Sequence, residues 1–169
     1  MRIPTKEQCY ELFRKYKTPD NVIKHSEAVN KVAVFLASRL KEAGIDINVG
    51  IVNAASLLHD IARLEKPHSK VGAEILRKEG FPEVAKCVET HGYSSISILE
   101  SWEQKVVHYA DKRATNKTVS LKERAAGWMK KYPDDIESIK EHGLKTEELE
   151  KQIFNKLSIK PNDLKEMVK

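Results

Sequence analysis

Apolar residues recur at three- and four-residue steps along almost the whole chain, and no stretch shows the two-residue alternation of a half-buried strand. The pattern predicts an all-α fold. A first helix is expected from a Thr5-x-x-Gln8 capping box to about Tyr16. Thr18-Pro19 opens a second that runs to Ala43 and stops at Gly44, with Val22, His25, Val29, Val32, Leu36 and Leu40 along its inward line. The third, Asn48 to Arg63, is apolar nearly all round and is the expected central core helix. Pro67 and Pro82 sit where first-turn prolines start a fourth helix, ending at Gly80, and a fifth, ending at His91-Gly92. A sixth covers Ser101 to Ala114, and a seventh runs from the Ser120-x-x-Glu123 box to just before Pro133. Charged helices fill the remainder to Lys169.

Against this pattern a few polar residues stand out. Between Val49 and Ile61 the only charged residue is Asp60, preceded by His59 at the end of the core helix. His25 lies on the inward line of the second helix, and Asp111 follows the apolar Val106-Val107 of the sixth. A single inward histidine is more often a satisfied core residue than a ligand. An ionised carboxylate at a buried position, however, costs several kcal/mol unless it is paired or bound to a cation. Three separate exceptions to core patterning, all carrying imidazole nitrogen or carboxylate oxygen, favour one shared divalent-metal site, and without thiolates that donor set suits Mn, Fe, Co, Ni or Zn and admits Mg.

His25 in VIKHS, His59-Asp60 in LLHDIAR and Asp111 in HYADKR together resemble the H…HD…D pattern of the HD superfamily of metal-dependent phosphohydrolases. The resemblance covers about residues 19 to 131. It implies a single-domain HD-type helical bundle, residues 1–169, with a metal-binding core over 19–131 and a helical extension over 132–169. His68 in HSKVGAEIL and His91 in VETHG are similar to the further histidines of HDIG and HD-GYP subfamilies that hold two metals, where Asp60 would bridge the ions. The implied ligand set is thus His25, His59, Asp60, His68, His91 and Asp111, for one or two ions per chain. His68 also reads as an ordinary polar helix start, and His91 as a helix C-terminal residue favoured by the macrodipole. His108 matches no family position and reads as a packing or supporting group. His142, in the charged tail, reads as surface.

The resemblance implies hydrolysis of a phosphate ester or anhydride by metal-activated water, with Asp60 orienting the water and Arg63 gripping the phosphate. Arg63 stands where HDIG proteins carry a lysine, and where small HD nucleotidases acting on deoxynucleoside monophosphates carry a glutamate, so their substrate does not transfer. The GYP motif is absent. Lys112 and Arg113, directly after Asp111, are expected at the site mouth as further phosphate contacts or as a solvated helix end. The expected partner is a small phosphorylated molecule, a nucleotide by preference. The alternative is a metal-containing nucleotide-binding or regulatory module with little turnover.

Length, charge and cysteine content change this picture little. A chain of 169 residues suffices for one core without disulfides. Cys9 and Cys87 lack metal or redox spacing, and a reducing, cytoplasmic setting is expected. The N-terminus has no apolar signal core, and no run is long enough to span a membrane. The net charge of +5 is concentrated between Lys112 and Lys131, where Glu123 is the one acid among seven cations. That block is either a solvated face or a phosphate-attracting lip, and with little aromatic interleaving beyond Trp128 and Tyr132 it argues against a nucleic-acid partner.

Overall fold

A computed structural model describes residues 1–168, and among them the architecture is all-helical. Helix α1, Lys6–Lys15, begins at Thr5, whose hydroxyl accepts from the Gln8 amide while the Gln8 side chain accepts from the Thr5 amide. Helix α2, Asp20–Glu42, follows Pro19 and ends before Gly44, whose φ of +84° is a left-handed geometry that glycine adopts without steric cost. Val29, Val32, Leu36 and Leu40 of α2 are wholly buried, each contributing about 1.5–3 kcal/mol of transfer free energy.

Helix α3, Val49–Leu58, is capped by the Asn48 side chain accepting from the Ile51 amide, and it packs along α2 at the centre of the core. It stops five residues short of the expected Arg63. From His59 onward the chain tightens into turns closed by i to i−3 bonds, Ile61 N to Leu58 O, Arg63 N to Asp60 O and Glu65 N to Ala62 O. This frees His59 and Asp60 from a continuing helical spiral. Helices α4, His68–Lys78, and α5, Pro82–Glu89, form an antiparallel pair that lays α5 on α3. A short 3-10 segment, Tyr93–Ile98, leads to α6, Trp102–Lys112, which closes the core over α2, α3 and α5.

Helix α7, Leu121–Lys131, starts at the expected Ser120–Glu123 capping box, yet none of its residues is buried. Helix α8, Ile136–Phe154, packs on α6, α7 and the 3-10 segment, placing Ile139, Leu149 and Ile153 inward. The described chain ends in α9, Leu164–Met167, with Leu164 fully buried. No helix of the described residues is long and apolar enough to cross a membrane.

Candidate metal centre

Six side chains from five parts of the chain converge: His25 of α2, His59 and Asp60 of the turn after α3, His68 at the start of α4, His91 after α5, and Asp111 of α6. His25 Nε2 lies 3.1 Å from Asp111 Oδ1, and His59 Nε2 lies 3.7 Å from the same oxygen and 3.6 Å from Asp60 Oδ2. On the other side of Asp60, His68 Nε2 and His91 Nε2 are 3.3 and 3.4 Å from Oδ1. The donor atoms form two triads that share Asp60, His25–His59–Asp60 and Asp60–His68–His91, with all atoms of each triad within 4.8 Å of one another.

The backbone sets the ring tautomers. His25 Nδ1 donates to Thr115 O at 2.9 Å, His59 Nδ1 to Ser56 O at 2.8 Å, and His91 Nδ1 to Val88 O at 2.6 Å. With the proton committed to Nδ1, each Nε2 directs a lone pair towards the carboxylates. His59 Nε2 and Asp60 Oδ1 are buried with no hydrogen-bond partner. His68 Nε2 and His91 Nε2 approach to 3.2 Å beside that same oxygen. The His59 Nε2 lone pair and the Asp60 and Asp111 carboxylates repel unless a cation lies among them, and Arg63 Nη1 reaches the cluster only on the His68 side. The donor set and the unmet atoms therefore fit a divalent ion at either triad.

Electrostatics support a charged, compact cluster. Burial acts to raise the Asp60 carboxyl, but His59 and His91 outweigh it and hold it below the ordinary carboxylate range. Burial likewise opposes a proton on His59, yet Asp60 and Asp111 raise its pKa. At His68 burial prevails and lowers the pKa to about 4, and at His91 it lowers it too. Neutral imidazole is the form that binds metal.

The three predicted phosphate-binding residues part company. Arg63 is half exposed at the rim, with Nη1 3.6 Å from Asp60 Oδ1 and 3.3 Å from His68 Nε2. Lys112 is buried, not at an open mouth: its Nζ bonds Asp111 Oδ2 at 2.6 Å and His91 O at 3.1 Å, fixing two members of the cluster from behind. Arg113 does not reach the site. One residue further along α6 it points to the opposite side, where it is buried, paired with Glu150 at 3.0 Å and bonded to Val119 O, Pro161 O and the Tyr109 hydroxyl. Its charge is consumed in joining α6 to the C-terminal helices. Arg124 takes the place expected for it, since it lines the cavity with Nη2 4.0 Å from Asp111 Oδ1. The cationic run 112–131 signalled such a residue without singling it out.

His142 is also not where the sequence suggested. It is buried under Tyr93, whose ring stacks on it at 3.7 Å, and its Nε2 is 3.4 Å from His108 Nε2. The tail helix α8 looks charged because its exposed faces are charged, while His142, with Ile139, Thr146 and Leu149, forms a narrow inward line three and four residues apart. His108 is a buried packing residue, as expected.

Five of the six cluster residues, all but the fully buried His59, line a cavity of about 780 Å³, which is walled opposite by α7 and the start of α8. That volume is in the range of small-molecule sites, roughly 300–1,000 Å³.

The model of the HD domain family matches residues 22–116, which include all six. A tRNA (cytidine(56)-2'-O)-methyltransferase of Thermoplasma volcanium is 33% identical over 152 residues, 79% of this chain and 44% of that protein. An uncharacterized protein of Methanocaldococcus jannaschii is 40% identical over 88 residues, 50% of this chain and 52% of its own. A ribonuclease Y of Finegoldia magna is 34% identical over 77 residues, 42% of this chain and 14% of that protein. The chain thus spans about half or less of the length of these relatives. No solved structure matches it.

Proposed function

The chain belongs to the HD domain family, and from that premise we propose that it is a metal-dependent hydrolase of phosphate ester or anhydride bonds in a small molecule, a nucleotide by preference. The observation that carries this reading is the buried His59 Nε2, which has no hydrogen-bond partner and lies 3.6 and 3.7 Å from the carboxylates of Asp60 and Asp111, beside an equally unpartnered Asp60 Oδ1. His25, His59 and Asp111 would hold one ion and His68 and His91 a second, with Asp60 shared. A divalent ion bound there supplies charge neutralisation for phosphate oxygens and acidity for a nucleophilic water.

The chain's own residues account for the rest. Asp60, kept ionised by its imidazole neighbours, accepts a hydrogen bond from the attacking water and so aims it. Arg63 extends its guanidinium over the rim, where its paired donors match two phosphate oxygens. Lys112 holds Asp111 in register and adds positive potential beneath the cluster. Arg124 places a second guanidinium across the cavity from Arg63, so phosphate entering between them meets cations on both sides. The cavity wall excludes bulk water from part of the bound molecule.

A second reading has one observation in its favour. The methyltransferase-named relative of Thermoplasma volcanium matches this chain over 44% of its length, so in that protein a segment of this kind accompanies a different named activity. A regulatory module that binds a nucleotide without turning it over fits that context. A screen of nucleotides and simple phosphate esters with Mn, Co, Ni and Mg separates the two. Metal-dependent phosphate release is expected; tight nucleotide binding with no release would select the module. Binding of tRNA that falls steeply with salt and survives chelation would displace both.

A further inference from the structure

The cavity has a second wall that the metal chemistry leaves unexplained. Arg124, Gly127, Trp128 and Lys131 of α7 all line it, and their spacing of i, i+3, i+4 and i+7 places them on one helical face. In an ordinary surface helix that face presses apolar side chains into a core. None of the residues of α7 is buried, so this face looks across open space towards the metal-ligand cluster.

Gly127 is the most informative of the four. Glycine inside a helix is destabilising relative to alanine, and such a residue normally answers a need for a left-handed backbone or for close packing. Neither applies here: its φ is not in the left-handed region, and a Cβ built on it meets nothing within 4 Å. The fold has no use for the missing side chain. The room it leaves belongs to the cavity.

Beside that room stands a fixed aromatic corner. The Trp128 indole lies under the Arg124 guanidinium, 4.8 Å from the ring centroid, and meets the edge of Tyr93 at 5.7 Å between centroids. Tyr93 is held in turn by its hydroxyl, which donates to Ser138 O at 2.9 Å, and by its stack on His142. Arg124, one turn earlier on the same face, keeps its Nε buried without a partner and its Nη2 4.0 Å from Asp111 Oδ1. One turn is about 6 Å of helix axis for four residues. A molecule anchored by phosphate between Arg63 and Arg124 therefore presents its next atoms to Gly127 and Trp128.

We propose that this face of α7 is the base-binding wall of a nucleotide site, in which Gly127 leaves room for a planar base and Trp128, uncovered as the Arg124 guanidinium turns from its ring to the phosphate, supplies the surface on which it stacks. This deepens the phosphohydrolase reading by naming the residues that separate a nucleotide from any other phosphate ester. All of these α7 residues lie outside the matched span 22–116, so the selectivity is carried by a segment beyond the ligand-bearing core.

The test compares adenosine, guanosine, cytidine and uridine monophosphates with ribose phosphate, the same anion without a base, on the full metal-loaded chain. The readout is the ratio of affinities by calorimetry, and of kcat/KM wherever phosphate is released. At least one nucleotide should outdo ribose phosphate by about tenfold or more, the usual worth of one stacked base. It should also quench tryptophan fluorescence, and Trp128→Phe should remove the quenching while Trp102 still reports a folded chain. Gly127→Leu should bring the ratio down about tenfold, as loss of one stacked base does, without lowering the melting temperature, because leucine is the better helix former. Equal treatment of ribose phosphate and all four nucleotides, or an unchanged ratio in Gly127→Leu, would overturn the proposal. Selective nucleotide binding with no phosphate release would sink the hydrolase reading and leave this wall standing. Release at equal efficiency from every ester would do the reverse.

Discussion

Two groups of buried histidines neighbour Lys112, and their difference explains what makes one of them a metal centre. His108 Nδ1 donates to Thr90 O, so its Nε2 accepts from His142 Nε2 at 3.4 Å, and His142 Nδ1 faces the Thr146 hydroxyl. Each ring proton in that chain has an acceptor, while the Thr146 hydroxyl gives its one proton to His142 O and only packs against His142 Nδ1. The pair is a neutral strut between α6 and α8, with both pKa values lowered by burial first and by Lys112 second. In the other group, the Nδ1 protons of His25, His59 and His91 are spent on carbonyl oxygens in the same way, but their Nε2 atoms face the carboxylates of Asp60 and Asp111. Burial and imidazole chemistry are common to both. What separates them is an unmet set of lone pairs around an anion.

The sharpest way to break this distinction is Asp60, the oxygen source shared by both triads. Asp60→Ala is expected to abolish metal retention and phosphate release, and Asp60→Asn, of nearly equal volume, to do almost the same. Metal analysis of protein purified without chelator, with a phosphate-release assay, checks both. If Asn preserved metal and activity, the carboxylate would be a structural group and the cluster no more than a second strut; a stability gain in that variant would reinforce this.

The next test divides the cluster itself. Under saturating metal the chain should bind about two ions, since one ion cannot take six side chains and still leave positions for water and phosphate. His68→Ala or His91→Ala should reduce the count towards one, and His25→Ala should remove the other ion. A titration giving one ion in the native chain, unaffected by both His68→Ala and His91→Ala, would make the site mononuclear and turn those two residues into substrate or rim contacts.

Arg63 should give a smaller and different effect. Arg63→Ala is expected to lower kcat/KM by about ten- to a hundredfold, the scale of a lost charge-assisted phosphate contact, with metal content unchanged. Arg63→Lys should recover part of this, because an ammonium cannot make the paired contact. Kinetics equal to the native chain would remove Arg63 from the site.

The mildest effect belongs to the strut. The His142 pKa is lowered from 6.5 to about 4 in the fold, so the unfolded chain binds the proton more readily. Stability is complete above pH 6.5 and is lost as pH falls towards 4. His142→Phe, which keeps the stack on Tyr93, should flatten that part of the melting-temperature profile by a few degrees. An identical pH profile in the variant would show that His142 is not held neutral.

The helical architecture was legible because amphipathic spacing and caps are local. The Thr5 and Ser120 boxes, and the Gly44 and Gly80 stops, all occur as the sequence implied. His25, His59, Asp60 and Asp111 were legible as metal-type residues because each broke the apolar pattern of its own helix, whereas His68 and His91 stood out only through the resemblance to two-metal subfamilies. Two things were not. Arg113 and Lys112 are adjacent in a cationic run, and nothing local tells which faces the cavity and which the tail; the 100° step of the helix decides it. His142 lay among charges that hid its inward line until α8 was laid against α6. The departure of α3 from helix at His59 was equally invisible, because its apolar run continues through Ile61 and Ala62.

Arg113 has a consequence for how portable the metal-bearing core is. Its guanidinium, buried at the end of α6, receives its counter-charge from Glu150 and a further acceptor from Pro161 O, both well beyond the span 22–116 that matches the family. A minimal fragment cut at that span would keep every metal-type side chain but lose Val119 O, Glu150 and Pro161 O, the partners that fix Arg113 at the end of α6 beside Asp111. Grafting this core into another protein therefore means carrying the tail with it, or supplying new partners for Arg113.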